Sequence, residues 1–261
     1  MPIFPFLAGL FTFIHFERPG DGEEFRRTTV SIDGRWRTVF LDTGMPQSFS
    51  QDPIIPSVRR VTLMGQSADI DFIPSPGFLA KLNVDLLIGR ETISKFLLVN
   101  HPGRPLELKP RALATRIPKD AFSVPLGRDE IGAPLMTVEI DGVKIPLIVD
   151  TDADHISLSA VSAKPLLQIW RGQVPEPSTR QLPNDQFDAF TTFRSVVYQS
   201  GRMTLGGRTM GLNMSVWVDT DSAGPCSRPN FIGWDWLKTQ TWVLDLTGNR
   251  LWFYDADLLK Q

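Results

Sequence analysis

Two aspartates stand at matching points of two similar segments. Val39-Phe40-Leu41-Asp42-Thr43-Gly44 is echoed 108 positions later by Leu147-Ile148-Val149-Asp150-Thr151-Asp152. In each copy three apolar residues run into an Asp-Thr pair, nine positions after the aspartate of an Asp-Gly turn (Asp33-Gly34 and Asp141-Gly142). A carboxylate at the end of a buried strand is costly unless something uses or neutralises it. Brought together, two carboxyls can divide a hydrolysis between them: one takes a proton from water, the other protonates or polarises the group under attack. At about 3 Å they cannot both ionise, so they share a proton, and their apparent pKa values separate and belong to the pair. A single aspartate after a strand is most often a cap or turn residue. Its duplication after the same hairpin is what argues for chemistry. The copies differ in one place, Gly44 against Asp152.

The elements that must position these residues are mainly strands. Arg27–Ile32 and Arg37–Leu41 flank Asp33-Gly34 and predict a hairpin, as do Leu135–Ile140 and Val143–Val149 around Asp141-Gly142. Met203–Leu205 and Met210–Val218 around Gly206-Gly207 predict a third. Helical periodicity is brief, about two turns each over Arg90–Phe96 and Trp234–Thr239. The 21 prolines and 20 glycines are spread widely, which suits many short strands and turns.

The repeat continues beyond the aspartates. Leu87-Ile88-Gly89 opens a short helical stretch, followed by strand-like Leu97–Val99, a turn at Gly103 and Leu106-Glu107-Leu108. Phe231-Ile232-Gly233 does the same, followed by Trp242–Leu246, a turn at Gly248-Asn249 and Leu251-Trp252-Phe253. Two halves of like order point to duplication. They predict an N-terminal lobe over residues 1–110, a linker over 111–120 and a C-terminal lobe over 121–261. The second half is longer, mainly through Trp170–Ser195, a polar, proline-containing stretch that predicts a surface loop or a cover over a cleft.

This pattern resembles the retropepsin and pepsin-like aspartic proteases over about residues 26–255. Each lobe of that family carries a turn, a strand, the triplet Asp-Thr/Ser-Gly, a flap hairpin, and a strand ending in a hydrophobic residue and glycine that crosses behind the catalytic loop. Asp42-Thr43-Gly44 with Ile88-Gly89 fits the first lobe. Asp150-Thr151-Asp152 with Ile232-Gly233 fits the second, less one glycine. The compact lobes look most like two fused bacterial retropepsin-type units. The resemblance implies an all-β, bilobal acid-protease fold with two similar β-barrel lobes and short helices. It implies an aspartic endopeptidase in which Asp42 and Asp150 activate the water. Thr43 and Thr151 would hydrogen-bond across the lobe junction, and Gly44 would let the backbone turn tightly and bring an N–H near the carboxylates. Flaps would fall within Arg59–Phe72 and Phe193–Val218. The substrate would be peptide or unfolded protein in the inter-lobe cleft of a monomer.

Asp152 is the main departure from that pattern. A third carboxylate beside the dyad would raise the pair's apparent pKa values unless it met solvent or a cation, and His155 is in reach to neutralise it. Met45-Pro46 also replaces the small residue usual after the first triplet. Two alternatives follow: a catalytically inactive module that binds peptide or acts as a scaffold, and a protease whose Asp42 meets its own copy in a dimer.

The remaining composition narrows the field. Apolar residues make up 42% of the 261, enough for real cores. A net charge of −2, with no basic run interleaved with aromatics, excludes an ordinary nucleic-acid binder. His15, His101 and His155 lack ligand spacing, and no metal or cofactor is expected. The one cysteine, Cys226, reads as a bystander and leaves the redox compartment open. The seven tryptophans, among them Trp234, Trp236, Trp242 and Trp252, read as packing rather than a ligand platform. Ile3–Phe16 is apolar but shorter than the roughly 20 residues of a membrane span, and lacks the charge and cleavage site of a secretory signal. It reads as an ordinary strand rather than a membrane contact, which favours the cytoplasm.

Overall fold

The computed structural model describes residues 27–52, 58–74, 77–183, 190–220 and 230–254. The Ile3–Phe16 stretch, His15 and Cys226 lie outside them. The chain adopts a bilobal, all-β fold with a few short helices.

Lobe one is a six-stranded sheet built from β1 (Arg27–Ile32), β2 (Arg35–Leu41), β3 (Ser48–Ser50), β4 (Val58–Leu63), β5 (Gln66–Pro74) and β6 (Leu86–Ile88). Its order is β1-β2-β6-β3-β5-β4. Lobe two repeats the plan in an eight-stranded sheet. Its strands are β10 (Gly127–Arg128), β11 (Pro134–Ile140), β12 (Val143–Val149), β13 (Ile156–Leu158), β14 (Glu176–Pro183), β15 (Phe190–Leu205), β16 (Arg208–Asp219) and β17 (Phe231–Ile232). The order is β10-β11-β12-β17-β13-β16-β15-β14, and an extra β11–β15 pairing closes it towards a barrel.

The Asp-Gly turns form as their sequence demands. Asp33 and Gly34 both take positive φ (52° and 73°), and so do Asp141 and Gly142 (46° and 85°). This is the mirror-image turn whose twist matches a right-handed hairpin. Arg27 then pairs with Phe40, and Leu135 with Ile148, which delivers each Asp-Thr pair to the same end of its lobe.

The lobes are joined by a shared five-stranded sheet. Strands β7 (Phe96–Asn100) and β8 (Glu107–Pro110) from the first half meet β18 (Trp242–Asp245), β19 (Arg250–Trp252) and β9 (Ser123–Pro125) in the order β8-β7-β18-β19-β9. Its inward side chains, including Leu98, Leu244 and Leu251, merge with Val39, Leu41, Val149 and Trp236 into one hydrophobic cluster spanning both lobes. Between β8 and β9 the chain forms a 3₁₀ turn, Arg111–Arg116, anchored by Arg111 Nε on Asp245 Oδ1 at 3.0 Å. Trp234, Trp236 and Trp242 are buried in this region, with Trp242 Nε1 donating to the Leu237 carbonyl at 2.9 Å.

Three expectations need correction. Within Trp170–Ser195 the described residues are largely strand: β14 pairs with β15 from Glu176–Val197 to Pro183–Phe190. Pro177 and Pro183 are tolerated there because β14 is an edge strand, where a missing N–H leaves no neighbour unpaired. A ten-residue helix, Ala160–Ile169, precedes it, capped by the Ser159 hydroxyl on the Ser162 N–H at 3.2 Å. The Arg59–Phe72 hairpin is a wall of lobe one rather than a flap. Val61, Leu63, Ala68, Ile70 and Phe72 point into the core, and β5 pairs in parallel with β3. In lobe two β16 takes that place, pairing in parallel with β13, so β15–β16 is likewise wall. The additional hairpin β14–β15 has no partner among the described residues of lobe one. The predicted helices shrink to single turns, Arg90–Ile93 and Trp234–Leu237.

The shared sheet makes a stability prediction. Leu244 is fully buried between Leu98 and Leu251. Leu244→Ala should cost about 2–5 kcal/mol, read from the midpoint of urea unfolding.

Candidate active site

Both Asp-Thr pairs lie at the junction of the lobes, each where a strand stops. Asp42 follows β2 and donates its N–H to the Ile88 carbonyl at 3.0 Å; Asp150 follows β12 and donates to the Ile232 carbonyl at 3.2 Å. Strand β6 runs parallel to β2, and β17 parallel to β12, so each Ile-Gly passes behind its own loop. Beyond it the correspondence continues bond by bond. Arg90 N–H donates to the Met45 carbonyl (2.9 Å) and Glu91 N–H to Pro46 (3.2 Å), while Trp234 donates to Ala153 (2.6 Å) and Asp235 to Asp154 (2.7 Å).

Gly89 and Gly233 are required by space, since both backbones are extended. A Cβ on Gly89 would lie 2.6 Å from the Gln47 carbonyl carbon. One on Gly233 would lie 2.7 Å from both the Ala153 carbonyl carbon and the His155 oxygen. Either overlap would push the loop forward.

The threonines tie the two loops together. Thr43 N–H donates to Thr151 Oγ1 and Thr151 N–H to Thr43 Oγ1, both at 3.1 Å. Each hydroxyl then donates to the opposite lobe: Thr43 to the Val149 carbonyl at 2.7 Å, Thr151 to the Leu41 carbonyl at 2.8 Å. Both side chains are fully buried. Each hydroxyl therefore accepts one hydrogen bond and donates another, all four across the junction.

This brings the two carboxyls together. Asp42 is 2% exposed and Asp150 3%. Burial raises the Asp42 pKa well above its ordinary 3.8, and the charge of Asp150 raises it further. The N–H groups of Met45 and Gly44 and the charge of Arg90 pull the other way. Met45 N–H meets Asp42 Oδ1 at 2.9 Å, and Asp152 N–H meets Asp150 Oδ1 at 2.9 Å. A side chain at Gly44 would lie 2.6 Å from Asp150 Oδ2. The triplet glycine is thus fixed by the neighbouring carboxylate.

Asp152 occupies the corresponding place in lobe two and is 5% exposed. Neither Gly44 nor Asp152 has a positive φ, so tolerance of left-handed backbone is not what admits the aspartate. Nor does Asp152 join Asp150 and Arg90 among the main charges acting on Asp42. His155 Nδ1 lies 2.5 Å from Asp235 Oδ2, and its ring stacks on Trp217 at 4.2 Å. Asp235, also bound to Lys238, is held below the usual carboxylate range: those two partners outweigh its burial. His155, Trp217 and Asp235, with Glu176, Ser178, Gln199 and Ser215, line a cavity of about 280 Å³.

Sequence reasoning missed Arg90. It is 7% exposed, and its guanidinium donates to the Gly44 carbonyl in one lobe and the Ile131 carbonyl in the other. Its place directly after Ile88-Gly89 was the available signal, because a charge beside a buried turn needs a partner. No group of three or more His, Cys, Asp or Glu side chains is arranged to hold a metal among the described residues.

No family model and no curated protein matches the sequence. Among solved structures, a retropepsin-like aspartic protease from Rickettsia conorii aligns at 17% identity and a TM-score of 0.38. The alignment covers 51% of this chain and 98% of that one.

The raised pKa of Asp42 sets a pH dependence. The folded state holds the proton more tightly than the unfolded chain, so stability falls as pH rises from about 3.8 towards the folded value. Asp42→Asn should flatten this fall in urea unfolding midpoints taken from pH 3.5 to 7.5, and an unchanged slope would assign it to other groups.

Proposed function

We propose that the chain is an aspartic endopeptidase, cutting peptide bonds of extended or unfolded protein in the cleft between its lobes. The observation that carries the reading is the meeting of Asp42 and Asp150, each at the end of a strand, in loops locked by Thr43 and Thr151. With one proton shared, the ionised carboxyl takes a proton from water as the water oxygen attacks the scissile carbonyl carbon, and the protonated carboxyl gives its proton to the carbonyl oxygen. The resulting diol collapses as a proton passes to the amide nitrogen and the C–N bond breaks. The dyad ends with its single proton restored. One chain supplies both carboxyls, so a monomer suffices and the Asp42-with-Asp42 dimer is not needed.

Cleavage of β-casein between pH 3 and 7, with and without pepstatin, tests this. Asp42→Asn and Asp150→Asn should each lower kcat by about 10²–10⁴-fold. Activity that survives Asp150→Asn and disappears with Asp42→Asn would sink the intramolecular dyad.

Asp152 favours a second reading, a non-catalytic peptide-binding module on the same fold. Its carboxyl is buried where the first lobe has a glycine that touches the dyad. A peptide could still add as a strand to a sheet edge. Under the protease reading the wild type cleaves casein and Asp152→Gly changes only rate or pH profile. Under the module reading the wild type is silent, and only Asp152→Gly restores cleavage.

A further inference from the structure

We propose that the cavity beside His155 is an accessory pocket of lobe two that takes one arginine side chain of the unfolded-protein substrate. The inference rests on the protease reading and adds a preference for basic sequence near the cut. At about 280 Å³ the cavity is at the small end of ligand pockets, which suits a single side chain. It lies on the sheet face turned away from the lobe's core. In β16 Val216 and Val218 are buried, so Ser215 and Trp217 point the other way. Across the sheet they meet Val197 and Gln199 of β15, and beyond these Glu176 of β14. One end is closed by His155, five positions after Asp150, and by Asp235, two after Gly233. That end is rigid. The imidazole is held by Asp235 at 2.5 Å and stacks on Trp217, while Lys238 holds Asp235 at 2.7 Å. Five residues span at most about 18 Å, so the pocket lies within the length of a short extended peptide held at the dyad.

The lining selects the occupant. It contains no lysine or arginine. The charge of Asp235 is answered by His155 and Lys238, whereas Glu176 makes no ion pair among the described residues. Gln199 Nε2 donates to Ser215 Oγ at 3.0 Å, which leaves the amide oxygen as an acceptor. The groups open to a ligand are thus a carboxylate and an amide oxygen, beside an apolar wall of Trp217, Val197 and Pro177. A guanidinium supplies the opposite charge, a fork of donors and a flat face for that wall. A glutamate side chain would meet Glu176 with like charge. Lobe one lacks these parts. Gln47, Ile73 and Glu91 stand where lobe two has His155, Trp217 and Asp235, and Glu91 is bonded by the Ser48 hydroxyl. Nothing among its described residues matches β14. Basic sequence is therefore read on one side of the cut only.

Two experiments on the full chain test this. In the first, N-acetyl-arginine amide is titrated at about pH 7 into ¹⁵N-labelled protein, with the norleucine and glutamate amides as controls. The Trp217 indole N–H, assigned with Trp217→Phe, is followed. Arginine should bind about fivefold more tightly than norleucine, and glutamate more weakly than either. Glu176→Gln should remove most of that difference, and Glu176→Lys should pass the preference to glutamate. Glu176 is exposed on an edge strand, so neither change threatens folding. In the second, one arginine is walked through a β-casein peptide that the protein cuts. On one side of the cut it should lower KM about fivefold with kcat unchanged, the signature of binding away from the reacting atoms, and Glu176→Lys should abolish the effect. Equal binding of the three amides, an indole signal that does not move, or an arginine preference that survives Glu176→Lys overturns the proposal. A wild type that cleaves nothing refutes the protease reading, while the amide titration still decides whether the pocket takes arginine.

Discussion

Four hydrogen bonds between Thr43 and Thr151 and their opposite lobes are the constraint from which the site follows. Each hydroxyl accepts the other threonine's N–H and donates to the carbonyl of the residue just before the opposing aspartate. The network is fully buried, so any bond left unmade would strand a polar atom away from water. The two loops can therefore dock in one arrangement only, and that arrangement sets Asp42 beside Asp150. The parallel strands β6 and β17, with Gly89 and Gly233 pressed against loop carbonyls, seat each loop from behind. The shared sheet holds the halves at the separation this network needs.

Docking of this kind forces two carboxyls out of water. Desolvation and mutual repulsion both favour keeping a proton on the pair, which is the state that water activation requires. The N–H groups of Met45 and Gly44 oppose this and keep ionisation of Asp42 accessible. Ionisation of Asp42 and folding stability thus pull in opposite directions. The hydrophobic cluster running through both lobes offsets the cost.

The sequence showed the elements with strong local signals. Asp-Gly turns demand positive φ, the strands between them alternate, and the repeat places each Ile-Gly, so hairpins, lobes and dyad candidates were legible. Elements set by tertiary pairing were not. β14 carries two prolines and reads as loop because nothing local reveals that it will be an edge strand. The helix Ala160–Ile169 carries Pro165, which breaks the usual pattern. Wall and flap hairpins share one local signature, and only pairing of β5 with β3 and β16 with β13 separates them. Asp152 was legible as a departure, but the reason it matters was not. The triplet glycine is a matter of space against Asp150, and sequence shows backbone preference more readily than a neighbour 2.6 Å away.

The two halves differ in ways that a symmetric assembly of identical chains could not. In a dimer of identical chains, every residue beside the dyad appears on both sides of the axis. Two buried guanidiniums would then flank the carboxyls equally. Joined in one chain, the lobes carry Arg90 on one side and Trp234 on the other, Gly44 on one side and Asp152 on the other. They also carry an extra hairpin, β14–β15, in lobe two, unmatched among the described residues of lobe one. Each difference alters the field or the walls on one side while the threonine network keeps the two loops in register. Backbone symmetry is retained where docking depends on it, and side-chain symmetry is lost around the two carboxyls.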